Sequence, residues 1–202
     1  MLYQDTIVAL ATPSGTGAIA VIRVSGEDAI TLTDSVFDSV RGKRLVHQKS
    51  HTIHLGHIKD GNLILDEALV SLFKAPHSYT GENVVEISCH GSPYIQQQIV
   101  QLLLRKGCRA ASAGEFTLRA FLQGKMDLSQ AEAVADLIAS DSTSAHELAL
   151  NQMRGGFSNE IEDLRQELLN FASLSELELD FSQEDVEFAD RTQFETLLNR
   201  ME

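Results

Sequence analysis

Positive charge is scarce in this chain. Its 202 residues carry 16 Lys and Arg against 29 Asp and Glu, a formal net charge of −13. A nucleic-acid-binding surface is normally basic, so the composition argues against a stand-alone RNA binder and leaves any RNA contact to further chain or to a partner. Cysteine is scarce too. Cys89 and Cys108 give no disulfide framework and suit a reducing compartment. No apolar run reaches the roughly 18 residues of a membrane-spanning helix. The opening MLYQDTIVAL holds an acid at Asp5 where a secretory leader would be basic. The expected location is therefore the cytoplasm. No G-x-x-x-x-G-K-[ST] string occurs, so no phosphate-cradling loop of that type is expected.

What is present is unevenly distributed. Residues 1–118 hold 10 Lys and Arg against 11 acids, whereas residues 119–202 hold 6 against 18. Net charges of −1 and −12 mark two regions of different character. In the first, Thr6–Ala11 and Ala18–Ser25 read as strands around the turn-rich Pro13–Gly17. Alternation puts Ala20, Ile22 and Val24 on one face and Ile19, Val21 and Arg23 on the other. Both faces are largely apolar, which predicts a central strand. Glu27–Phe37 reads as a helix. His51–Ile58 and Leu63–Phe73 read as a hairpin around Lys59-Asp60-Gly61-Asn62. Val84–Cys89 is a further strand, and Pro93–Lys106 a helix with Ile95, Ile99, Leu102 and Leu103 in one stripe.

The second region is helical in pattern. Ser129-Gln130-Ala131-Glu132 fits a capping box, and Ala131, Val134, Ala135 and Ile138 follow the spacing of a buried helix face. Phe157, Ile161, Leu164, Leu168 and Phe171 form a seam that needs a facing helix. Phe181–Asp190 reads as an acidic break, and a last helix from Arg191 stops at Glu202 without a capping signal. The helical region reads as incomplete.

Several polar residues exceed what packing requires. Arg23, on a largely apolar strand, must find a carboxylate, a carbonyl or an anionic ligand. An internal ion pair and a ligand clamp both satisfy it. Glu86, within Val84-Val85-Glu86-Ile87, either points to water or accepts a pair of N–H donors. Lys125 follows Gly124 at a helix end, as a dipole-favourable cap or as a ligand cation. Glu115 and Arg119 sit one helical turn apart, which suggests a local pair. Asp127 and Gln130 suit cap and surface roles. His51, His54 and His57 resemble a metal trio, yet period two sends His54 to the opposite face. Cys89-His90 suits a buried strand end better than an activated thiolate. Ser14-Gly15-Thr16-Gly17 suits a tight turn or an anion cup.

Three strings go further: Asp5–Gly26 (DTIVALATPSGTGAIAVIRVSG), Ser78–Gly91 (SYTGENVVEISCHG) and GEFTLRAFLQGKMDL over 114–128. In this order they resemble the N-terminal and helical-domain junction of the MnmE (TrmE) family of tRNA modification GTPases. Ala113 stands where that pattern has proline before Gly-Glu-Phe. The resemblance implies an α+β N-terminal domain over 1–118, with a mixed sheet, flanking helices and an aminomethyltransferase-like folate-binding fold. It implies an incomplete all-α helical domain over 119–202, with the GTP-binding domain and later helices outside this chain. It further implies 5-formyltetrahydrofolate as cofactor, with Arg23, Glu86 and Lys125 as its contacts and the pterin edge donating to Glu86. No catalytic or metal-ligating residue is assigned; GTP, magnesium and potassium belong to the GTP-binding domain. The implied partners are a second copy, the FAD- and NADH-using protein MnmG, and tRNA, whose wobble uridine is modified at C5. A stand-alone folate-dependent aminomethyltransferase and a purely structural dimerisation module are the alternatives.

Overall fold

The computed structural model describes residues 5–180 and 191–201. The chain divides into two compact units that meet between Asp127 and Leu128. That division falls beyond the expected 118/119 boundary, which would cut a helix whose Arg119 is buried among first-unit residues.

The strands of the first unit are, in chain order, β1 Ile7–Leu10, β2 Ile19–Ser25, β3 Phe37–Ser39, β4 Thr52–Asp60, β5 Leu63–Phe73, β6 Val84–His90 and β7 Arg109–Ala110. Its helices are α1 Ala29–Asp34, α2 Pro93–Arg105 and α3 Glu115–Leu122. Across the sheet the order is β3-β4-β5-β6-β2-β1-β7. Only the β1–β7 pair is parallel; the other pairs are antiparallel. The sheet is mixed and flanked by helices, as expected, and β2 lies between β6 and β1, a central position.

Alternation builds the core. Ala20, Ile22 and Val24 of β2, Val85, Ile87 and Cys89 of β6, and Val70 and Leu72 of β5 are buried, as are Ile99, Leu102 and Leu103 of α2. Each fully buried Ile, Leu or Val contributes about 1.5–3 kcal/mol. The intervening positions are more open: Arg23, Glu86, Ser88 and Ser71 are half-buried and Leu69 is exposed. Register places Arg23 directly opposite Glu86, and Glu86 opposite Ser71.

Some elements differ from the sequence reading. The helix expected over Glu27–Phe37 ends at Asp34, because Phe37 begins β3 and pairs with Ile58. Gly56 makes that possible: a Cβ there would lie 2.5 Å from the Phe37 ring. The short β3 and β7 carry too little alternation to be read from sequence.

In the second unit α4 spans Leu128–Ala139, α5 Thr143–Met153, α6 Gly156–Asp180 and α7 Arg191–Met201. Ser142 caps α5 by accepting the amide of Ala145 at 3.3 Å. Ser129, expected as a cap, lies inside α4 and accepts the Gln152 amide at 3.2 Å. Gln130, expected on the surface, donates to the Met153 carbonyl at 3.0 Å. Packing against α5 buries Ala133, with Gln130 and Leu137 half-buried beside it, while Ile138, expected inside, is 82% exposed. The α6 seam finds a facing helix at Phe171, which stacks on Phe194 of α7 at 4.2 Å. Leu164 and Leu168 are half-buried and Ile161 stays half-exposed. The side chain of Phe157, the acidic break at 181–190 and the chain end at Glu202 lie outside the described residues. Among the described residues no helix is long and apolar enough to cross a membrane.

Candidate functional site

The 74–83 loop joining β5 to β6 and helix α3 meet over one end of the open sheet face. Ser25 at the end of β2 anchors the loop: its hydroxyl lies 2.7 Å from Thr80 Oγ1 and donates to Glu82 at 2.8 Å. Tyr79 ties loop to helix, its hydroxyl 2.9 Å from Thr117 Oγ1. These bonds hold two aromatic rings beside one cation. The Arg23 guanidinium carbon lies 5.0 Å from the Tyr79 ring centre and 5.5 Å from that of Phe116, within cation–π range.

Arg23 spends two donors on one oxygen. Its Nε and Nη2 reach Glu86 Oε1 at 2.9 and 2.8 Å. The internal-pair reading of Arg23 is thus what the structure shows, with Glu86 as the acid. The pair is not sealed: the two side chains are 25% and 27% exposed. Glu86 Oε2 has no hydrogen-bond partner among the described residues. One carboxylate oxygen is therefore held in place while the other can accept a donor.

Lys125 is positioned by the end of α3. Gly124 adopts φ 68°, the left-handed conformation that glycine takes without a Cβ penalty. The Gly124 amide donates to Phe121 and that of Lys125 to Ala120, both at 2.9 Å, completing a Schellman closure. The ammonium does not cap the helix. It donates to the Pro76 carbonyl at 3.1 Å, and its stem lies against Gly81. The structure thus brings Arg23 and Glu86 into contact and ties exposed Lys125 to the loop that presents Tyr79.

A second arginine cluster is built differently. Glu115 and Arg119 pair at 3.1 Å, as the helical spacing suggested. Arg109 adds a two-pronged contact to Glu115 at 2.5 and 3.0 Å, and the Ser112 amide donates to it at 2.8 Å. Arg119 also binds Asp5 at 2.7 Å and Glu82 at 3.2 Å, and Arg109 pairs with Asp5. Hydrogen bonds from Arg109 above all hold the Glu115 carboxyl at about 2, against an ordinary value of 4.5. Asp5 is lowered for the same first reason. This cluster clamps α3 and the 74–83 loop to the start of β1.

Sequence reasoning missed Tyr79 and Phe116 as neighbours of Arg23, and Thr117 as the partner of Tyr79, although all three lie inside the quoted strings. It also missed Asp5, Glu82 and Arg109 as clamp members, since their partners are distant in sequence. The remaining candidates resolve locally. Among the described residues no group of His, Cys, Asp and Glu could hold a metal ion. His54 Nε2 lies 2.8 Å from the Thr52 hydroxyl and His51 Nδ1 2.9 Å from that of Ser50. Burial pushes the Cys89 thiol up to about 11, so it stays protonated and carries no nucleophile. The Gly17 amide is taken by the Gly91 carbonyl at 3.0 Å, which leaves it no donor for an anion.

Comparison with known proteins gives two family matches that together cover almost the whole chain. The profile for the GTP-binding protein TrmE N-terminus matches residues 6–125, and that for the MnmE helical domain matches 128–202. The tRNA modification GTPase MnmE of Flavobacterium psychrophilum is 74% identical over 202 residues, covering 100% of this chain and 44% of the relative. The proteins of the same name from Flavobacterium johnsoniae and Bacteroides thetaiotaomicron are 72% and 61% identical over 202 residues, each covering 100% of this chain and 43% of the relative. The chain thus spans less than half the length of these curated relatives.

Proposed function

The chain belongs to the MnmE family, and on that premise we propose that it is the folate-binding and dimerisation portion of a tRNA modification GTPase. Its ligand is 5-formyltetrahydrofolate, the one-carbon source for C5 modification, of the carboxymethylaminomethyl type, at the wobble uridine of tRNA. Arg23, Glu86 and Lys125 are the contacts. The observation that carries this reading is the half-open Arg23–Glu86 pair beside Tyr79 and Phe116, with Glu86 Oε2 unused.

Each part answers a part of the ligand. An aminopyrimidine edge presents two N–H donors, and a fixed carboxylate is the matching acceptor. The guanidinium holds the Glu86 carboxylate in orientation, and it can turn a free donor toward a formyl oxygen. The rings of Tyr79 and Phe116 offer apolar faces for a flat heterocycle. Lys125, exposed at the end of α3 beside the 74–83 loop, suits the glutamate tail. The folate, when bound, supplies the one-carbon unit; these residues bind and orient it, and none acts as a general base.

GTP binding and hydrolysis, with their magnesium and potassium, belong to a domain outside these residues. The whole protein works in the cytoplasm as a homodimer through the first unit, together with MnmG and tRNA. Exposed apolar side chains of the first unit, Ile19 among them, supply surface for the self-association. Calorimetric titration of this chain tests the reading. Wild-type protein should bind 5-formyltetrahydrofolate and show no specific affinity for GTP. A well-folded dimer that ignores the folate would leave the structural-module reading in its place. GTP turnover by this chain would contradict the division of labour.

A further inference from the structure

From Ser39 to Lys59 the chain carries five Lys and Arg and four His, and not one carboxylate. In a protein of net charge −13 this is a local reversal of sign. The fold spends two of the five cations on ion pairs: Arg44 on Asp34, and Lys59 on Asp38. The side chains of Arg41, Lys43 and Lys49 are exposed and have no acidic partner among the described residues. All three line one groove of about 800 Å³, formed by the end of β3, the single helical turn Leu45–His47, β4 and Leu69 of β5. His47 and His54 also line it. Its apolar lining includes Val40 and Ile53, which are 53% and 67% exposed.

We propose that this groove is a contact site for single-stranded RNA, with Arg41, Lys43 and Lys49 on phosphates and the apolar floor beneath an unstacked nucleotide. Composition decides between RNA and a protein partner. Protein interfaces are depleted in lysine at their cores, whereas nucleic-acid interfaces are wet and strongly cationic. A groove with three unpaired cations, two imidazoles and no acid fits the second description. It carries no Phe, Tyr or Trp ring for stacking, so the contact reads backbone more than base identity. A weak, salt-sensitive hold follows, suited to steering an RNA loop already recognised elsewhere. The proposal takes RNA as the ligand from the reading of the chain as part of an RNA-modifying protein. The site itself is separate from the Arg23–Glu86 cluster.

The test compares the intact protein with its Arg41→Ala/Lys43→Ala/Lys49→Ala variant. Binding of a fluorescein-labelled RNA hairpin with a single-stranded loop is followed by anisotropy over a range of KCl concentrations. The variant should bind about tenfold more weakly at low salt, and its salt slope should flatten by about 2, since each single-strand phosphate contact contributes about 0.7. Folate affinity and circular dichroism should be unchanged, which separates failure here from failure of the folate reading. Equal affinity and equal slope would overturn the proposal, as would wild-type protein that ignores the RNA at low salt. A lower sedimentation mass of the variant with unaltered RNA binding would also overturn it, by making the groove a protein interface.

Discussion

Two arginine–carboxylate clusters share one loop and one helix in the first unit, yet they are built to opposite standards. Around Arg119 and Glu115 the side chains are 1% and 4% exposed, and Glu115 receives donors from Arg109, Arg119 and the Ser112 amide. Around Arg23 and Glu86 they are 25% and 27% exposed, and one carboxylate oxygen is idle. Ion pairing is common to both; saturation of the carboxylate is not. A buried carboxylate with donors on both oxygens fixes structure. An unsaturated, half-open one flanked by aromatic rings keeps bonding capacity for something else.

The difference can be broken by mutation. The largest effect on stability should come from Arg119→Ala, which empties a buried position and removes a donor from Glu115, Glu82 and Asp5 at once. Breaking a buried pair costs about 3–5 kcal/mol, readable as a fall in the urea midpoint. Glu86→Ala should cost about 1 kcal/mol or less in the same measurement, as partly exposed pairs do. Its effect should fall instead on folate affinity, by about 2 kcal/mol, near thirtyfold, the scale of a lost charged hydrogen bond. If the two variants lost similar stability, the clusters would not differ as described.

Acid sharpens the same contrast. The Glu115 carboxyl is depressed from 4.5 to about 2 on folding. Its contribution is therefore complete above pH 4.5 and drains away as pH falls toward 2. Urea midpoints measured across that window should decline, and Glu115→Gln should lower the starting value while removing part of the slope. A slope identical in both proteins would place the acid sensitivity elsewhere. The smallest expected effect belongs to Tyr79→Leu. Loss of its cation–π contact should cost about 0.5–1 kcal/mol of stability, with a larger loss of folate affinity if the ring also covers the ligand.

Legibility followed the length over which each signal repeats. The strands β2, β5 and β6 and the helix α2 announce themselves through alternation or a helical stripe, and they carry the core. The two- and three-residue strands β7 and β3 have no period to read. The Glu115–Arg119 pair was visible because its partners lie four residues apart. Asp5 and Glu82, distant in sequence, were not. Arg23 and Glu86 could each be singled out as charges on apolar strands, but only the β2–β6 register makes them neighbours. On α4, periodicity alone selected Ile138 for burial, whereas the observed face runs through Gln130 and Ala133. Side-chain amides bonding across to α5 set that rotation, and hydropathy does not encode them. Net charge conceals local structure in a similar way, since it averages an acidic helical region with the cationic groove at 41–49.

The most direct test is the affinity of Glu86→Gln for 5-formyltetrahydrofolate by calorimetry, beside wild type. Glutamine keeps the shape and the hydrogen-bonding reach but removes the charge and places N–H groups where the ligand also presents N–H. The account predicts binding weakened about tenfold or more, with thermal stability close to that of wild type. Unchanged affinity in a folded variant would contradict it.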